Sequence, residues 1–282
     1  MFIYDTLAMK NLMWKIIVKN TTPDTQEWLI KMGDTQNSIA NFNTAFITAP
    51  RKTGKAIITI NTDDSNKLTA VRSGFVIDGW SVDRLCRVWL LMQPDATDKD
   101  RYHRTIENLF LSAEMNELVA LYSALPLLAY PEIWVKRCSE GIRSNIALVL
   151  EAIMYHNPYP AENLEQPAWN QMVLKAFFTE KQIHLITGLD DRANKELAYT
   201  LADYARERWA AGRKVNPMLW RLAGKFIDER IFNDILIGLT SNDPIEKNAI
   251  ALAASESSFE PAKSFFKGAE DHFTWDSFIN LN

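Results

Sequence analysis

Hydrophobic residues recur at three- and four-residue intervals along most of this chain, which is the spacing of one face of an α-helix. Ser81 precedes a clear example, in which Val82, Leu85, Val88 and Trp89 share one face. Residues that start helices recur ahead of further runs of this kind, at Thr22-Pro23, Asp98, Ser112, Ser144 or Asn145, Asp190 or Asp191, Pro217 and Asp243-Pro244. The pattern therefore predicts an all-α protein.

The segments between these helices are short, which favours antiparallel neighbours. The proline-rich segment His156-Asn-Pro-Tyr-Pro ends one helix, because each proline restricts the residue before it. The runs 231–239 and 243–254 form a hairpin whose second helix opens with Asp-Pro, as in a HEAT unit. We therefore expect a stack of antiparallel helical hairpins, a HEAT-like α–α superhelix.

The domain organisation follows from the extent of the helical pattern. We expect one helical domain over residues 1–255, of which 1–45 form N-terminal helices, and an irregular tail over 256–282. Aromatic residues such as Trp275 and Phe278 give that tail a means of docking back. Residues 55–60 have the composition of a strand, but a lone strand cannot form a sheet, and an extended loop is the alternative.

Composition and charge exclude several classes of protein. Hydrophobic residues make up 47% of the chain and charged residues 23%, which excludes disorder for most of it. The formal charge of −4 gives no general attraction to nucleic acid. No apolar run approaches the roughly 20 residues that span a bilayer, and the N-terminus lacks the order of a secretion signal. With two cysteines, Cys86 and Cys138, each in an apolar helical pattern, we predict reduced thiols and a cytoplasmic location.

Known catalytic and metal-binding motifs are missing from the sequence. Ala49-Pro-Arg-Lys-Thr-Gly-Lys-Ala echoes a phosphate-binding loop, but alanine replaces both its first glycine and its final Ser/Thr. We interpret it as a basic surface loop, with weak anion binding by Arg51, Lys52 and Lys55 as the alternative. The four histidines, His103, His156, His184 and His272, lack zinc spacing, and Glu180 with His184 is a carboxylate–histidine pair one helical turn apart. We predict no metal and no cofactor.

A dense polar and aromatic stretch between residues 116 and 194 provides the candidate site. Its candidate ligand-binding residues are Arg143, Asn145, His156, Asn157, Asn170, Lys175 and Arg192. In this interpretation the cations hold an anionic group and His156 is available for proton transfer. The alternative is structural, because asparagine and aspartate at helix starts satisfy free backbone amides.

Several blocks of the chain resemble the EboA-domain family over about residues 45–255. The blocks are Asn116-Glu-Leu-Val-Ala-Leu-Tyr, Glu140-Gly-Ile-Arg-Ser-Asn, His156-Asn-Pro-Tyr-Pro-Ala-Glu, Trp169-Asn-Gln-Met-Val-Leu-Lys-Ala, Gly188-Leu-Asp-Asp-Arg-Ala-Asn and Tyr204-Ala-Arg-Glu-Arg-Trp-Ala-Ala-Gly-Arg. The resemblance implies a bacterial gene cluster for making or exporting secondary metabolites, including passage of a pigment precursor out of the cytoplasm, and partners that include a membrane protein. It implies no reaction and assigns no catalytic residue.

Three functions are consistent with these observations. The first is a non-enzymatic adaptor or metabolite-binding protein, because helical-hairpin stacks provide extended surfaces and catalytic motifs are missing. The second is a small-molecule enzyme that uses His156 as acid or base, with Arg143, Lys175 and Arg192 as anion holders. The third is a purely structural role. The second requires that these side chains converge on one cleft.

Overall fold

The structure is a computed structural model that describes residues 2–34, 38–240, 243–266 and 273–279. Its regular elements in these ranges are α-helices and short 3-10 helices, with no β-strand. Residues 55–60 are an extended segment whose Ile57 makes an isolated antiparallel bridge with Ser81. The all-α prediction is therefore confirmed. Of the two alternatives for residues 55–60, a strand or an extended loop, the structure has the extended loop.

The chain divides into two compact units, residues 1–164 and 165–282. The α-helices of the first unit are α1 Thr6–Asn20, α2 Pro23–Gly33, α3 Ile39–Thr53, α4 Thr62–Val71, α5 Val82–Leu91, α6 Lys99–Ser112, α7 Met115–Ala124, α8 Val135–Arg143, α9 Ala147–Met154 and α10 Tyr159–Asn163. Those of the second unit are α11 Gln166–Phe178, α12 Lys195–Ala210, α13 Met218–Ala223, α14 Glu229–Gly238, α15 Pro244–Ser255 and α16 Glu260–Phe265. The predicted spans 1–255 and 256–282 stay a prediction.

Many predicted helix starts are confirmed by their capping geometry. Thr22 caps α2 with Pro23 at its first position, and Asp98 accepts a 3.0 Å hydrogen bond from the Arg101 amide at the start of α6. Asp243 does the same for the amide of Ile245 in α15. These caps are local in sequence, since each satisfies an amide two or three residues further on.

Three predicted starts are wrong by a few residues. Ser112 is the last residue of α6, and the next helix is capped at Glu114, where the Glu117 side chain accepts from the Glu114 amide. Neither Ser144 nor Asn145 is the N-terminal cap of α9, because Ser144 is the C-terminal cap of α8 and α9 begins after Ile146. The aspartates at 190 and 191 lie in a turn, and Asn194 caps α12 through the Leu197 amide. For α7 and α12 a neighbouring polar residue takes the capping position, whereas the capping position of α9 is the apolar Ile146, which makes no side-chain cap.

The basic segment around residue 52 is a helix end and not a loop. α3 continues through Pro50 to Thr53, and Gly54 ends it with a φ of 74° that favours glycine. Arg51 and Lys52 therefore lie in the last turn of α3, where cations complement the helix dipole. This position corrects the surface-loop interpretation for these two residues.

The core of the first unit is built around α5 and α7. α5 packs against α1, α3 and α7, and α7 packs against α9. Gly141 in α8 permits a close approach, because a Cβ there would lie 2.5 Å from the Ile153 side chain and 2.6 Å from the Tyr122 ring. Cys86 and Cys138 are buried free thiols, as predicted. Burial raises the pKa of both, which makes them unreactive at neutral pH.

A buried arginine joins three helices of this core. Arg87 in α5 donates to the Asp83 carboxylate at 2.6 Å and to the Phe46 carbonyl at 2.8 Å, and its guanidinium is 3.8 Å from Glu117. The Arg87 and Asp83 side chains are only 3% and 6% exposed. Burial lowers the pKa of Arg87, and the carboxylates of Asp83 and Glu117 oppose that effect. The group is a desolvated ionic centre that depends on complete pairing.

The second unit centres on α12, which packs against α11, α13 and α14, while α13 packs on α15. The described part of the tail docks on α13 and α15 through a 3-10 helix, Trp275–Phe278. Phe278 is buried there, and the Trp275 indole donates to Glu256 at 3.0 Å. The expected docking of the tail through its aromatic residues is therefore confirmed for this segment.

Asp234 in α14 is a buried carboxyl group that the second unit leaves incompletely paired. One oxygen lies 3.3 Å from the Arg206 guanidinium, and the other has no hydrogen-bond partner among the described residues. Burial, followed by the nearby Asp203, raises the pKa of Asp234 against the lowering effect of Arg206 and Arg230. The wild type therefore loses stability as the pH rises through the raised folded pKa.

We expect Asp234→Asn to raise the melting temperature at neutral pH by about 2–4 °C. The difference from wild type should shrink as the pH falls, because protonation neutralises the wild-type side chain as well. Melting curves at several pH values test this, with the exposed Asp191→Asn as control. A gain in melting temperature that is independent of pH, or that equals the gain of the control, would contradict the raised pKa of Asp234.

Candidate functional site

The first unit holds four of the predicted site residues, two ahead of α9 and two after its end. Arg143 is the exposed last residue of α8, and Asn145 is exposed in the loop before α9. His156 and Asn157 follow the end of α9, where His156 is half-buried and has a φ of 50°. Non-glycine residues in this left-handed region are uncommon, although histidine adopts it more readily than most.

Asn157 supports the backbone beside His156. Its amide group donates to the carbonyls of Tyr122 at 3.1 Å and Ala152 at 2.9 Å, while its oxygen accepts from the Tyr159 amide at 3.0 Å. The Asn157 side chain is 3% exposed. It therefore anchors the turn that presents His156, and its predicted role in ligand binding stays a prediction.

In the second unit the structure brings Asn170 and Arg192 together. The Asn194 amide group donates to the Asn170 oxygen at 2.8 Å, and the Asn170 amide group donates back to Asn194 at 3.2 Å. Asn194 also donates to the Arg192 carbonyl at 3.1 Å, and the Arg192 guanidinium lies 5.1 Å from the centre of the Trp169 ring. A cation is thus held over a buried aromatic face.

Lys175 lies apart from this cluster on the same helix. It is five residues beyond Asn170 in α11, which places it about 140° further around the helix axis. Its side chain is half-buried, and desolvation lowers its pKa. Within the second unit, Asn170 and Arg192 therefore share one locality, and Lys175 faces another.

The carboxylate–histidine pair Glu180 and His184 does not lie on one helix. α11 ends at Phe178, Glu180 has a φ of 53°, and His184 belongs to a separate 3-10 helix, Ile183–Leu185. Burial and then the charge of Arg221 lower the pKa of His184. Across the described ranges, no three His, Cys, Asp or Glu side chains are grouped to hold a metal ion. His272 lies outside those ranges.

Two adjoining clefts in the second unit were not foreseen from the sequence. One has a volume of about 490 Å³ and is lined by Trp209, Gly212, Arg213, Lys214, Ile237, Thr240, Asp243, Pro244 and Glu246. The other, of about 430 Å³, is lined by Phe177, Glu180, Tyr204, Arg208, Val215, Asn216, Pro217 and Ile245, and shares Lys214, Asp243 and Glu246 with the first. Both volumes are in the range of small-molecule sites.

The shared wall of these clefts is held by specific polar contacts. Lys214 pairs with Asp243 at 3.0 Å, and this contact keeps the pKa of Asp243 below its usual value. The Glu246 carboxylate is 2% exposed and accepts a 2.7 Å hydrogen bond from the Trp209 indole. Arg208 donates to the Lys214 carbonyl at 2.9 Å and so fixes the turn after α12. The clefts therefore have ordered walls.

A third cleft, of about 320 Å³, lies in the first unit beside the start of α5. Lys55 and Asp83 contribute to its lining, as does Arg84, which donates to Ser123 at 2.9 Å and stacks 4.1 Å from the Trp80 ring centre. Burial lowers the pKa of Arg84 to about 9, so the guanidinium stays protonated at neutral pH. Of the three basic residues in the predicted anion-binding alternative, Lys55 is the one that lines this cleft.

The length and polarity of the helices decide whether any of them could cross a membrane. In the described part of the chain, every helix is too short or too polar to cross a lipid bilayer.

Comparison with known proteins gives one result. The family model described as "Metabolite traffic protein EboA" matches residues 9–224, about three quarters of the chain. No curated protein and no solved structure matches the chain. The match covers every predicted site residue and the α12 side of the clefts, and leaves out α14 and α15. The chain belongs to the EboA family.

Proposed function

We propose that this protein is a non-enzymatic binding component of a metabolite-traffic system. The observation that carries the proposal is the family match over residues 9–224, whose description names metabolite traffic. The clefts of the second unit support it, because they combine aromatic and charged side chains in volumes suited to a small molecule. In this proposal the chain holds a metabolite and does not convert it.

The finer features of the proposal concern architecture and location. The helices form hairpins of a HEAT-like α–α superhelix over residues 1–255, with 256–282 as an appended tail. The protein works in the cytoplasm of a bacterial cell, beside other proteins of its gene cluster that include a membrane protein. An array of helical hairpins suits this role, because it offers surfaces to a metabolite and to partner proteins at the same time.

In this proposal the predicted residues provide ligand contacts within each unit, namely Arg143, Asn145, His156 and Asn157 in the first unit and Asn170, Lys175 and Arg192 in the second. Two observations support their use. Arg192 is held over Trp169, so little side-chain freedom is lost when it binds an anion. His156 itself has a left-handed backbone conformation, and the neighbouring Asn157 anchors its turn through a hydrogen bond to the Tyr122 carbonyl. Strained backbone of this kind is a recognised feature of ligand sites.

The test is to identify small molecules that co-purify with the chain. The protein is produced in cells that also carry its gene neighbours, and the bound compounds are extracted and measured by mass spectrometry. We expect a compound to be enriched with the wild type and to fall about tenfold with Arg192→Gln, because one lost charged contact contributes about 1–2 kcal/mol. The exposed Arg104→Gln in α6 is the control and should retain the compound.

Two outcomes would contradict the proposal. One is the lack of any enriched compound with the wild type. The other is chemical conversion of the compound by the purified protein, lost in His156→Gln, which would make the protein a small-molecule enzyme with His156 as acid or base.

A further inference from the structure

The Trp209 indole at the end of α12 is locked in place. Its nitrogen donates to the buried Glu246 carboxylate at 2.7 Å, and its ring stacks on Trp220 with 5.9 Å between ring centres and 17° between planes. Gly238 lies against its edge, since a Cβ there would come within 2.6 Å of the ring. Trp209 is nevertheless only half-buried and lines the 490 Å³ cleft. A fixed aromatic surface is therefore presented to that cleft.

Apolar side chains extend this surface. Ile237 of α14 is 52% exposed, and Pro244, the first residue of α15, is exposed as well. Both line the cleft beside Trp209. A rigid indole flanked by an isoleucine and a proline favours a flat, conjugated molecule, because such a molecule can stack on the ring and cover both apolar neighbours without losing conformational freedom.

The charges of the cleft leave one cation available. Lys214 is paired with Asp243, and Glu246 is occupied by the Trp209 indole. Arg213 is exposed and takes part in no ion pair among the described residues. Its amide donates to the Arg208 carbonyl at 2.8 Å, and Gly212 before it has a φ of 66°, so the turn after α12 holds Arg213 at the cleft. A ligand that also carries an acidic group can form an ion pair there.

We propose that the Trp209 cleft binds a planar aromatic acid, stacked on Trp209 between Ile237 and Pro244 with its anionic group on Arg213. This inference rests on the proposed function and adds to it a second binding location, apart from the predicted residues, together with the class of molecule that binds there. Part of the cleft comes from α14 and α15, beyond the family match. Trp209 and Arg213, which provide the aromatic wall and the cation, lie within the matched residues 9–224.

The test uses a matched pair of probes, 2-naphthoate and its neutral isostere 2-naphthamide. The full-length protein is titrated with each, and the indole N–H signal of Trp209 is followed by ¹H–¹⁵N NMR and assigned by its loss in Trp209→Phe. The protein is expected to bind 2-naphthoate, a probe of small size, with a Kd on the order of 1 mM. Binding of 2-naphthamide should be weaker, because it lacks the ion pair.

Variants separate the two parts of the site. Arg213→Gln should weaken 2-naphthoate about tenfold and change 2-naphthamide less than about twofold. Ile237→Ser should weaken both probes, because it removes part of the apolar surface. The controls are Lys225→Gln, another exposed cation of this unit, and Leu236→Ser, an exposed neighbour on α14 that does not line the cleft. Both controls should bind as the wild type does.

Any of three results would overturn the inference. These are a Trp209 signal that 2-naphthoate does not shift to saturation, equal 2-naphthoate affinity in Arg213→Gln and wild type, and unchanged affinity in Ile237→Ser. Co-purification of a metabolite that persists despite such a result would leave the proposed function intact and place its site elsewhere. Loss of co-purification with intact naphthoate binding would instead count against the proposed function alone.

Discussion

Replacing Asp83 with alanine is expected to lower the free energy of unfolding by about 3–5 kcal/mol, because it leaves the buried Arg87 without its closest counter-ion. Among the described residues, the Arg87 guanidinium then keeps hydrogen bonds to the Phe46 and Ile47 carbonyls, and its nearest carboxylate is that of Glu117 at 3.8 Å. At 3% exposure, water cannot replace the lost carboxylate. Urea denaturation followed by circular dichroism measures the change.

The chain supplies a matched control for this prediction. Asp63 and Lys67 form a second ion pair with the same four-residue spacing, but the Asp63 side chain is 70% exposed and that of Lys67 is 54% exposed. Asp63→Ala should leave the unfolding midpoint nearly unchanged, since exposed pairs are screened by solvent. Replacing both Asp83 and Arg87 with apolar residues of similar size should recover most of the lost stability. Equal effects at Asp83 and Asp63 would contradict the buried-charge account.

These two ion pairs show that the burial of a charged pair could not be predicted from the spacing of its residues. Asp83 and Arg87 have the same spacing as Asp63 and Lys67, so the spacing of the charges does not distinguish the two pairs. The flanking residues are mostly apolar around the first pair and mostly polar around the second, but the partners of Arg87 are distant in sequence: α3 supplies carbonyls from about 40 residues away, and α7 supplies Glu117 from 30 residues away. Helix starts such as Asp98 and Asp243 could be predicted because their hydrogen bonds close within three residues. Burial of a charge depends on the packing of distant helices.

For the candidate site, too, the residue types could be predicted from the sequence, but the contacts between distant elements could not. Asn170 and Arg192 could be selected as polar residues near helix starts, but their link through Asn194 depends on α11 and α12 packing side by side. The aromatic type of Trp209 does not by itself say whether the ring lies in the core or lines a cleft. Its partners Glu246 and Gly238 lie 37 and 29 residues further along the chain, and they hold the ring at the edge of a cleft. The sequence signal for that cleft was the block from Tyr204 to Arg213, which marks one wall only.

The second large effect is expected at Trp134, the last residue of the 3-10 helix Pro131–Trp134 that leads into α8. Its side chain is fully buried, and its ring contacts those of Tyr102, Phe110 and His103 at centre-to-centre distances of 5.2–6.4 Å. Its indole nitrogen donates to the Ala129 carbonyl at 2.9 Å. Trp134→Ala is expected to cost about 3–5 kcal/mol of unfolding free energy, because it opens a cavity in a close-packed aromatic cluster.

Two further variants separate the causes of that loss, again by urea denaturation. Trp134→Phe keeps an aromatic ring but removes the hydrogen bond to the buried Ala129 carbonyl, so it should cost about 1–3 kcal/mol. Phe178→Ala removes an aromatic side chain that is 73% exposed and should change stability by less than about 0.5 kcal/mol. If Trp134→Phe were as costly as Trp134→Ala, the hydrogen bond would dominate over packing. If Trp134→Ala were as mild as Phe178→Ala, the ring would not belong to the core, and the turn from Tyr130 into α8 would need another source of stability.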